Sequence, residues 1–294
     1  FNVITTVVSK DQEAADAAVR EGLMQYDLRH GWRGAEARIE LNQTDTSQQL
    51  AELKKRPIIQ QLPAALVLTV NNAKANLLLA NGQTVSIDSS ASNAIGKSLS
   101  SAIKAGDIIR LQRKNKSWLL AQIPSAQAAL VSLQPEDGAV RAIVGGFSFN
   151  TSKFNRATSA RRQPGSSFKP FVYTASFERG YSPSSIVLDA PVIFRDRKGN
   201  VWRPQNDRGG FRGPMKLREA LVQSRNLVSV RLLESIGVKF AIDYITNFGF
   251  TRDRLPANLS MSLGTASLTP ISIARGYTLF ANGGYLVEPY FIQS

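Results

Sequence analysis

The chain has 294 residues, no cysteine, one histidine and a formal net charge of +14. A chain of this length forms one large domain or two modest ones. The lack of cysteine excludes thiol catalysis and cysteine-ligated metal sites. No apolar run reaches the roughly 20 residues of a membrane-spanning helix, since the longest, Leu62 to Val70, has the composition of a strand.

Residues 1–61 are predicted to form an N-terminal linker region. The β-rich stretch Val3–Val8 precedes a helix, and Ser9 with Gln12 three residues later has the pattern of a capping box. The polar, glutamine-rich stretch from Asn42 to Gln49 then indicates a linker. This region carries a net charge of −1, so the positive charge of the chain lies further along.

Residues 62–124 are predicted to form a small β-barrel of the oligonucleotide/oligosaccharide-binding (OB) type. Five short strand-like runs, separated by turn residues such as Asn81-Gly82, fit that architecture. The runs are Ala64–Val70, Ala75–Ala80, Thr84–Ile87, Ile108–Arg113 and Trp118–Gln122. The net charge of +5 in this region makes a nucleic-acid-binding module an alternative function. Such modules stack bases on exposed aromatic rings, and Trp118 is the one aromatic residue here, so we expect no nucleic acid.

Residues 125–294 have a mixed helix and strand pattern and a net charge of +10. One helix there is predicted to begin at Thr269-Pro270 and to end at Asn282-Gly283-Gly284. Another begins near Ser166, because Gly165 permits a sharp turn and Pro170 is tolerated in a first helical turn. Phe168, Phe171, Val172 and Ala175 give this helix an apolar stripe.

The pair Ser166 and Lys169 is a candidate nucleophile and base. A serine nucleophile needs a base within hydrogen-bond reach, and His30 lies in a polar stretch far along the chain. The i, i+3 spacing places the hydroxyl and the amine on one helical face. The same pattern occurs at Ser101 and Lys104, where the surrounding sequence predicts a polar turn.

A second polar motif, Ser224-Arg225-Asn226, falls between two apolar helical runs. Taken alone it predicts a helix–helix turn with capping residues, and Ser148-Phe149-Asn150 has the same pattern. In combination with Ser166 and Lys169, however, it resembles the motif set of the active-serine penicillin-binding proteins. That family carries Ser-x-x-Lys, then Ser-x-Asn, then Lys-Thr-Gly.

Further blocks extend the resemblance over nearly the whole chain. They include Gly138–Gly146, Phe154–Ala157, Arg161–Pro170, Trp202–Asn206, Leu217–Asn226 and Ser262–Gly284. The sequence is most similar to the class A, bifunctional branch, and within it to the penicillin-binding protein 1a type. This implies an α+β fold of the penicillin-binding/β-lactamase kind, with helices packed on an antiparallel sheet. Residues 125–294 would be the transpeptidase domain, residues 62–124 an inserted OB-like barrel, and residues 1–61 the linker and start of the transpeptidase domain.

Two parts of the family pattern are not found. No Lys-Thr-Gly or Lys-Ser-Gly occurs, and the sequence ends at Ser294, so we expect the third motif beyond that residue. The glycosyltransferase domain and membrane anchor of the class A branch are not found either. We therefore expect the chain to be a portion of a longer, bifunctional protein.

The resemblance also implies a mechanism. Ser166 would attack the penultimate D-alanine carbonyl of a D-Ala-D-Ala stem peptide, Lys169 would accept its proton, and Ser224 would relay a proton to the leaving D-alanine. Asn226 would bind the substrate backbone and hold Lys169. An amine from a neighbouring stem would resolve the ester, and β-lactams would acylate Ser166. No metal or organic cofactor is expected.

Two related activities stay open as alternatives. A D,D-carboxypeptidase or a β-lactamase would use the same serine and lysine but resolve the ester with water. The Glu-x-x-Leu-Asn pattern of class A β-lactamases does not occur in the sequence. The family also implies a place on the periplasmic face of the bacterial inner membrane, held by an anchor outside this chain, and an outer-membrane lipoprotein as activator.

Overall fold

The computed structural model describes residues 2–195, 199–207 and 209–293. Ser294, at which the sequence ends, lies outside the described residues. Contacts divide the chain into two compact units. One comprises Glu13–Ala129 and Val144–Asn155, and we call it the sheet unit. The other comprises Phe1–Gln12, Leu130–Ile143 and Arg156–Ser294, and we call it the helical unit.

The described part of the first half of the chain contains three α-helices and six strands. They are α1 (Ser9–Arg29), β1 (Ala37–Arg38), α2 (Thr46–Lys54), β2 (Ala64–Val70), β3 (Lys74–Leu79), β4 (Thr84–Asp88), α3 (Leu99–Ala102), β5 (Asp107–Lys114) and β6 (Ser117–Ala121). The strands predicted over 62–124 are confirmed to within one or two residues at their ends.

The six strands form one antiparallel sheet in the order β1-β5-β2-β3-β4, with β6 paired to the other end of β5. Ala65 pairs with Leu79 on one side and Ile109 on the other. Among the described strands no pairing closes the sheet, so the OB-like fold is confirmed without a closed barrel. The sheet also takes in β1, which precedes the predicted 62–124 range.

Both faces of the central strand β2 are covered. Successive side chains of a strand point to opposite faces, and here Ala65 and Val67 join one apolar cluster while Ala64 and Leu66 join another. The second cluster includes Leu53 from α2. Burying a leucine side chain contributes roughly 1.5–3 kcal/mol, so α2 is part of the core of this unit.

Two local predictions for the N-terminal region are wrong. The stretch Asn42–Gln49 is not a linker, because Asp45 and Gln48 form a capping box that starts α2. Helix α1 does begin at Ser9, but Gln12 does not act as a cap. Its side-chain amide exchanges two hydrogen bonds with the backbone of Ile143, at 3.0 and 2.9 Å. The β-rich Val3–Val8 forms only an isolated bridge between Thr5 and Ile292.

The second half of the chain contains the helices and short strands that carry the polar motifs. They are β7 (Leu130–Leu133), β8 (Val140–Val144), α4 (Arg156–Ser159), α5 (Lys169–Phe177), β9 (Ile186–Asp189), β10 (Phe194–Arg195), β11 (Val201–Trp202), β12 (Gly213–Lys216), α6 (Leu217–Val222), α7 (Asn226–Ile236), α8 (Val238–Ile245) and α9 (Pro270–Ala281). The capped start of α9 at Thr269 and its end at Asn282 are confirmed.

Helix α5 is the centre of the helical unit. The predicted stripe of Phe168, Phe171, Val172 and Ala175 is confirmed, since all four residues are fully buried. The ring of Phe171 makes edge contacts with the rings of Phe248 and Phe250, each with centroids 5.0 Å apart. This apolar packing fixes the N-terminus of α5, and with it the positions of Ser166 and Lys169.

Gly106 gives a test of the sheet unit. Its φ of +89° lies in the left-handed region, and a Cβ there would overlap the carbonyl oxygen of Ile39. Gly82 has a similar φ of +84° but open space around it. We expect Gly82→Ala to cost about 1 kcal/mol and Gly106→Ala more than about 3 kcal/mol, because the backbone at Ile39 must move. Urea unfolding of both variants measures the difference, and equal costs would contradict this packing.

Candidate active site

Ser166 lies on a 3-10 turn, Gly165–Phe168, that leads directly into α5. The side chain of Ser166 is exposed, and its hydroxyl makes no hydrogen bond with the described residues. The neighbouring Ser167 differs, because its hydroxyl donates to the carbonyl oxygen of Pro164 at 2.8 Å. Ser166 therefore presents a free hydroxyl at a helix start, as the sequence predicts.

The backbone before Ser166 is fixed by a close approach to a distant loop. Gly165 has a φ of +59°, and its N–H donates to the carbonyl oxygen of Gly264 at 3.2 Å. A Cβ at Gly264 would overlap the carbonyl oxygen of Gly165. Arg162 and Leu268 exchange two backbone hydrogen bonds beside it, at 2.9 and 3.1 Å. The loop around Gly264 thus determines where the turn carrying Ser166 lies.

Lys169 is buried, with 1% of its surface exposed. Its Nζ donates to the carbonyl oxygen of Ser224 at 2.7 Å, to the Ser224 hydroxyl at 3.0 Å and to Asn226 Oδ1 at 2.7 Å. All three ammonium protons therefore have partners. The structure brings Lys169, Ser224 and Asn226 into direct contact, although 55 and 57 residues separate the two partners from the lysine.

The surroundings of Lys169 change its basicity. Burial lowers the pKa of the Lys169 amine to about 8, and the positive charge of Arg225 lowers it too, while the carboxylate of Asp207 acts in the opposite direction. By this value about one molecule in ten carries a neutral Lys169 at pH 7, against roughly one in several thousand for an ordinary lysine. The amine can thus accept a proton near neutral pH.

Ser224 and Asn226 are placed by the turn between α6 and α7. Ser224 has a φ of +53°, which a non-glycine residue adopts at a cost of roughly 1–2 kcal/mol. This conformation accompanies the contact of both its carbonyl oxygen and its hydroxyl with Lys169. Asn226 is the first residue of α7, and its Nδ2 donates to the carbonyl oxygen of Gln205 at 2.9 Å and to Asp207 Oδ1 at 3.0 Å. Both of its amide protons are therefore in use.

Asn206 caps α7 from outside the helix. Its Oδ1 accepts from the backbone N–H of Asn226 at 2.9 Å and of Leu227 at 3.3 Å, which lie in the first turn of α7. Its Nδ2 donates to Asp189 Oδ1 at 2.9 Å. The sequence motif Trp202–Asn206 includes this residue, but nothing in its local pattern predicts that it caps a helix 20 residues later.

Asp189 and Arg225 form a buried ion pair behind the site. The Asp189 carboxylate is fully buried and accepts from the Arg225 guanidinium at 2.6 and 2.8 Å. Burial acts to raise the pKa of Asp189, but hydrogen bonds from Asn206, Arg225 and the N–H of Arg212 outweigh it and hold the pKa below its usual range. In the sequence motif Arg225 is only the variable position of Ser-x-Asn, and no local pattern marks Asp189, the last residue of β9, as its partner.

The other sequence candidates lie elsewhere. Ser101 is in the single-turn helix α3, where its hydroxyl donates to the carbonyl oxygen of Ser98 at 2.9 Å. His30 belongs to the sheet unit and contacts the Tyr26 carbonyl oxygen at 2.8 Å. Among the described residues, no group of three acidic or histidine side chains is arranged to hold a metal ion. Within the same residues, no helix is long and apolar enough to cross a bilayer.

Comparison with known proteins agrees with this arrangement. The family model of the penicillin-binding protein transpeptidase domain matches residues 128–294. The chain belongs to the penicillin-binding protein transpeptidase family. A second model, the penicillin-binding protein OB-like domain, matches residues 32–126. The resemblance predicted from the sequence is confirmed, whereas the exact domain boundaries at 61/62 and 124/125 stay predictions.

The relatives are much longer than the chain. Penicillin-binding protein 1A of Pseudomonas aeruginosa is 47% identical over 307 residues, an alignment that covers 100% of this chain and 37% of that protein. The Haemophilus influenzae protein of the same name is 41% identical, and 34% of it is covered. Its crystal structure matches with a TM-score of 0.93 over 99% of this chain and 44% of that chain. The chain thus spans about a third of the length of these curated relatives.

The ion pair behind the site predicts a stability effect. We expect Arg225→Met to destabilise the protein by about 3–5 kcal/mol, because it leaves the Asp189 carboxylate buried without a counter-ion. Arg218→Met, on the exposed side of α6, serves as the matched control and should stay within about 0.5 kcal/mol. Urea unfolding measures both. Adding Asp189→Asn to Arg225→Met should recover part of the loss, and equal losses for Arg225 and Arg218 would contradict the proposed pairing.

Proposed function

We propose that the protein containing this chain is a serine D,D-transpeptidase that cross-links peptidoglycan stem peptides and is covalently inhibited by β-lactams. The observation that carries the proposal is the buried Lys169, whose amine contacts both members of the second motif, Ser224 and Asn226, three residues after an exposed serine. Family membership supports the same chemistry. We further propose that the longer protein also carries glycosyltransferase activity.

The acylation step assigns a role to each residue. Neutral Lys169 accepts the proton of the Ser166 hydroxyl, and Ser166 Oγ attacks the penultimate D-alanine carbonyl. The C–N bond to the last D-alanine then breaks, and Ser224 Oγ passes a proton to the departing amine. The Ser224 hydroxyl is suited to a relay because it can both accept from Lys169 and donate, whereas its carbonyl oxygen and Asn226 Oδ1 only accept.

The second half of the reaction resolves the ester. An acceptor amine attacks the acyl carbonyl, the C–Oγ bond breaks, and Ser166 regains a proton. The family resemblance implies that Asn226 binds the substrate backbone, but both of its amide protons already have partners, Gln205 and Asp207. We propose that Asn226 holds Lys169 throughout, and that it donates to the substrate only after one of these two bonds is released.

Location and partners follow from the family in the same way. We propose that the protein acts on the periplasmic face of the inner membrane, held by an anchor outside this chain, and that a lipoprotein of the outer membrane stimulates it. We propose no nucleic-acid partner for the OB-like part. Trp118 there is half-buried, with the Arg113 guanidinium 5.5 Å from its ring centroid, so it does not offer a free face for base stacking.

Covalent labelling tests the nucleophile. We expect fluorescent penicillin to label the complete protein on Ser166, because this hydroxyl is exposed and free, and Ser166→Ala to abolish the label. Ser167→Ala is the matched control and should keep it, since the Ser167 hydroxyl is bound to Pro164. Peptide mapping locates the label. A label on Ser167 or Ser101 would show that the assignment is wrong.

The pH dependence of acylation tests the base. Since burial lowers the pKa of Lys169 to about 8, the neutral form becomes more abundant as the pH rises toward that value. We expect the acylation rate to increase about tenfold from pH 6 to pH 7 and to level off above pH 8. Lys169→Arg should lose about 10²-fold or more, because arginine keeps the charge but cannot accept the proton. Near wild-type acylation in that variant would limit Lys169 to an electrostatic role.

A further inference from the structure

A cavity of about 730 Å³ opens beside Ser224. Its described walls come from residues 206–207 and 209–212 and from the end of α6 with the turn that follows it. Phe211 and Val222 are strongly exposed lining residues, at 56% and 82%. The cavity therefore combines apolar surface with a wall that includes Ser224, the residue that the proposed mechanism uses as a proton relay.

Asp207 supplies a negative group to this cavity. Its side chain is exposed, and Oδ1 accepts one hydrogen bond, from Asn226 Nδ2 at 3.0 Å. Oδ2 has no hydrogen-bond or ion-pair partner among the described residues. A carboxylate held at one oxygen and open at the other is a ready acceptor for a cationic donor.

Arg212 supplies a positive group to the same cavity. Its backbone N–H donates to the buried Asp189 at 2.9 Å, which fixes the point from which the side chain extends. The guanidinium itself is exposed and has no hydrogen-bond or ion-pair partner in the described parts of the chain. Arg225, the other arginine of the wall, already has Asp189 as its partner. Among the described residues, the cavity therefore offers one anionic and one cationic side chain without an ion-pair partner.

We propose that this cavity binds the acceptor of the transfer reaction, an amino-acid head group whose ammonium is held by Asp207 and whose carboxylate is held by Arg212. The inference rests on the proposed transpeptidase function and adds the acceptor site and its chemical class. An ammonium and a carboxylate on one carbon are complementary in charge to Asp207 and Arg212, while Phe211 and Val222 would contact the apolar part of the acceptor.

Two protons leave the acceptor ammonium when it reacts with the acyl-enzyme. The bound ammonium loses one proton to neutral Lys169 through the Ser224 hydroxyl, and the resulting amine adds to the acyl carbonyl on Ser166. A C–N bond forms and the C–Oγ bond breaks. The second amine proton passes to Ser166 Oγ, so the products are an amide and the free serine, with Lys169 protonated until it releases its proton to solvent.

Binding at Asp207 would also prepare the site for this step. The Asp207 carboxylate acts to raise the pKa of Lys169, so an ammonium that neutralises it favours the neutral, proton-accepting lysine. The same ammonium competes with Asn226 Nδ2 for the carboxylate. Once Asn226 Nδ2 no longer donates to Asp207, Asn226 can donate that hydrogen bond to the substrate. Asp207 thus couples acceptor binding to the basicity of Lys169 and to the hydrogen-bond donor capacity of Asn226.

The test measures how one acyl-enzyme divides between aminolysis by an acceptor and hydrolysis by water. The complete protein is acylated with an N-acyl-D-alanyl thioester, and the ratio of amide product to hydrolysis product is measured against increasing glycine or glycinamide. Both acceptors carry an ammonium, and only glycine carries a carboxylate. Because both products come from the same acyl-enzyme, the ratio does not depend on the acylation rate.

We expect Asp207→Asn to lower the ratio about tenfold or more with both acceptors, since a charge-assisted hydrogen bond is lost. Arg212→Gln should lower it to a similar extent with glycine and leave glycinamide unaffected. The matched controls are Glu219→Gln and Arg218→Gln, the same charge changes at exposed positions of α6 outside the cavity, and they should leave both ratios unchanged.

Each result bears on a different claim. An unchanged ratio in Asp207→Asn, or an Arg212→Gln loss that is equal for glycine and glycinamide, would overturn the acceptor site while leaving acyl transfer intact. Failure of the wild-type protein to form any acyl-enzyme with the thioester or with penicillin would instead overturn the proposed function. Equal losses in the α6 controls would show that general surface charge, and not this cavity, recognises the acceptor.

Discussion

The burial of one amine organises this site. Lys169 has almost no contact with solvent, and removing an unpaired ammonium from water costs many kcal/mol unless hydrogen bonds replace the hydration. Three oxygens replace it, and they come from two residues more than 50 positions away. The start of α5, the turn after α6 and the start of α7 must therefore meet at one point, and any fold of this sequence has to satisfy that condition.

A chain of buried hydrogen bonds and one ion pair behind the reactive groups holds these three segments together. Ser224 adopts a left-handed conformation, and Asn226 begins a helix whose first N–H groups are satisfied by Asn206. Asn206 is in turn held by the buried Asp189, which also fixes Arg225 in the same turn. The lysine side of the site is thus held rigidly by buried hydrogen bonds. Ser166, by contrast, is exposed and is placed by the backbone of its turn, which leaves the proposed nucleophile open to a carbonyl substrate.

Elements that depend on a few neighbouring residues could be predicted from the sequence, whereas contacts between distant residues could not. The helix start at Ser166 and the five strands were predictable because Gly165, Pro170 and the apolar periodicity act within a few residues. The helix over Thr46–Lys54 begins at an Asp45 cap, which is a local signal, but the polar composition around it favours a linker. Asp189, Asn206 and Asp207 could not be assigned roles, since their partners lie 17 to 36 residues away and no local pattern encodes those contacts.

The charges around Lys169 explain why its basicity lies where the chemistry needs it. A lysine with an ordinary pKa of 10.5 would stay protonated and could not accept the serine proton. A lysine buried beside Arg225 with no neighbouring negative charge would have a still lower pKa and would accept the serine proton less readily. Asp207 opposes both the burial and the arginine, and the resulting pKa of about 8 lies close enough to neutrality for the amine to take a proton in one step and give it back in the next. Since Asp207 is exposed while Arg225 is held in an ion pair with the buried Asp189, Asp207 is the member of this balance that an arriving substrate can reach. The hydrogen bonds therefore fix the geometry of the site, whereas the pKa of Lys169 can change. In the proposed mechanism that change is made at Asp207, where the acceptor would enter.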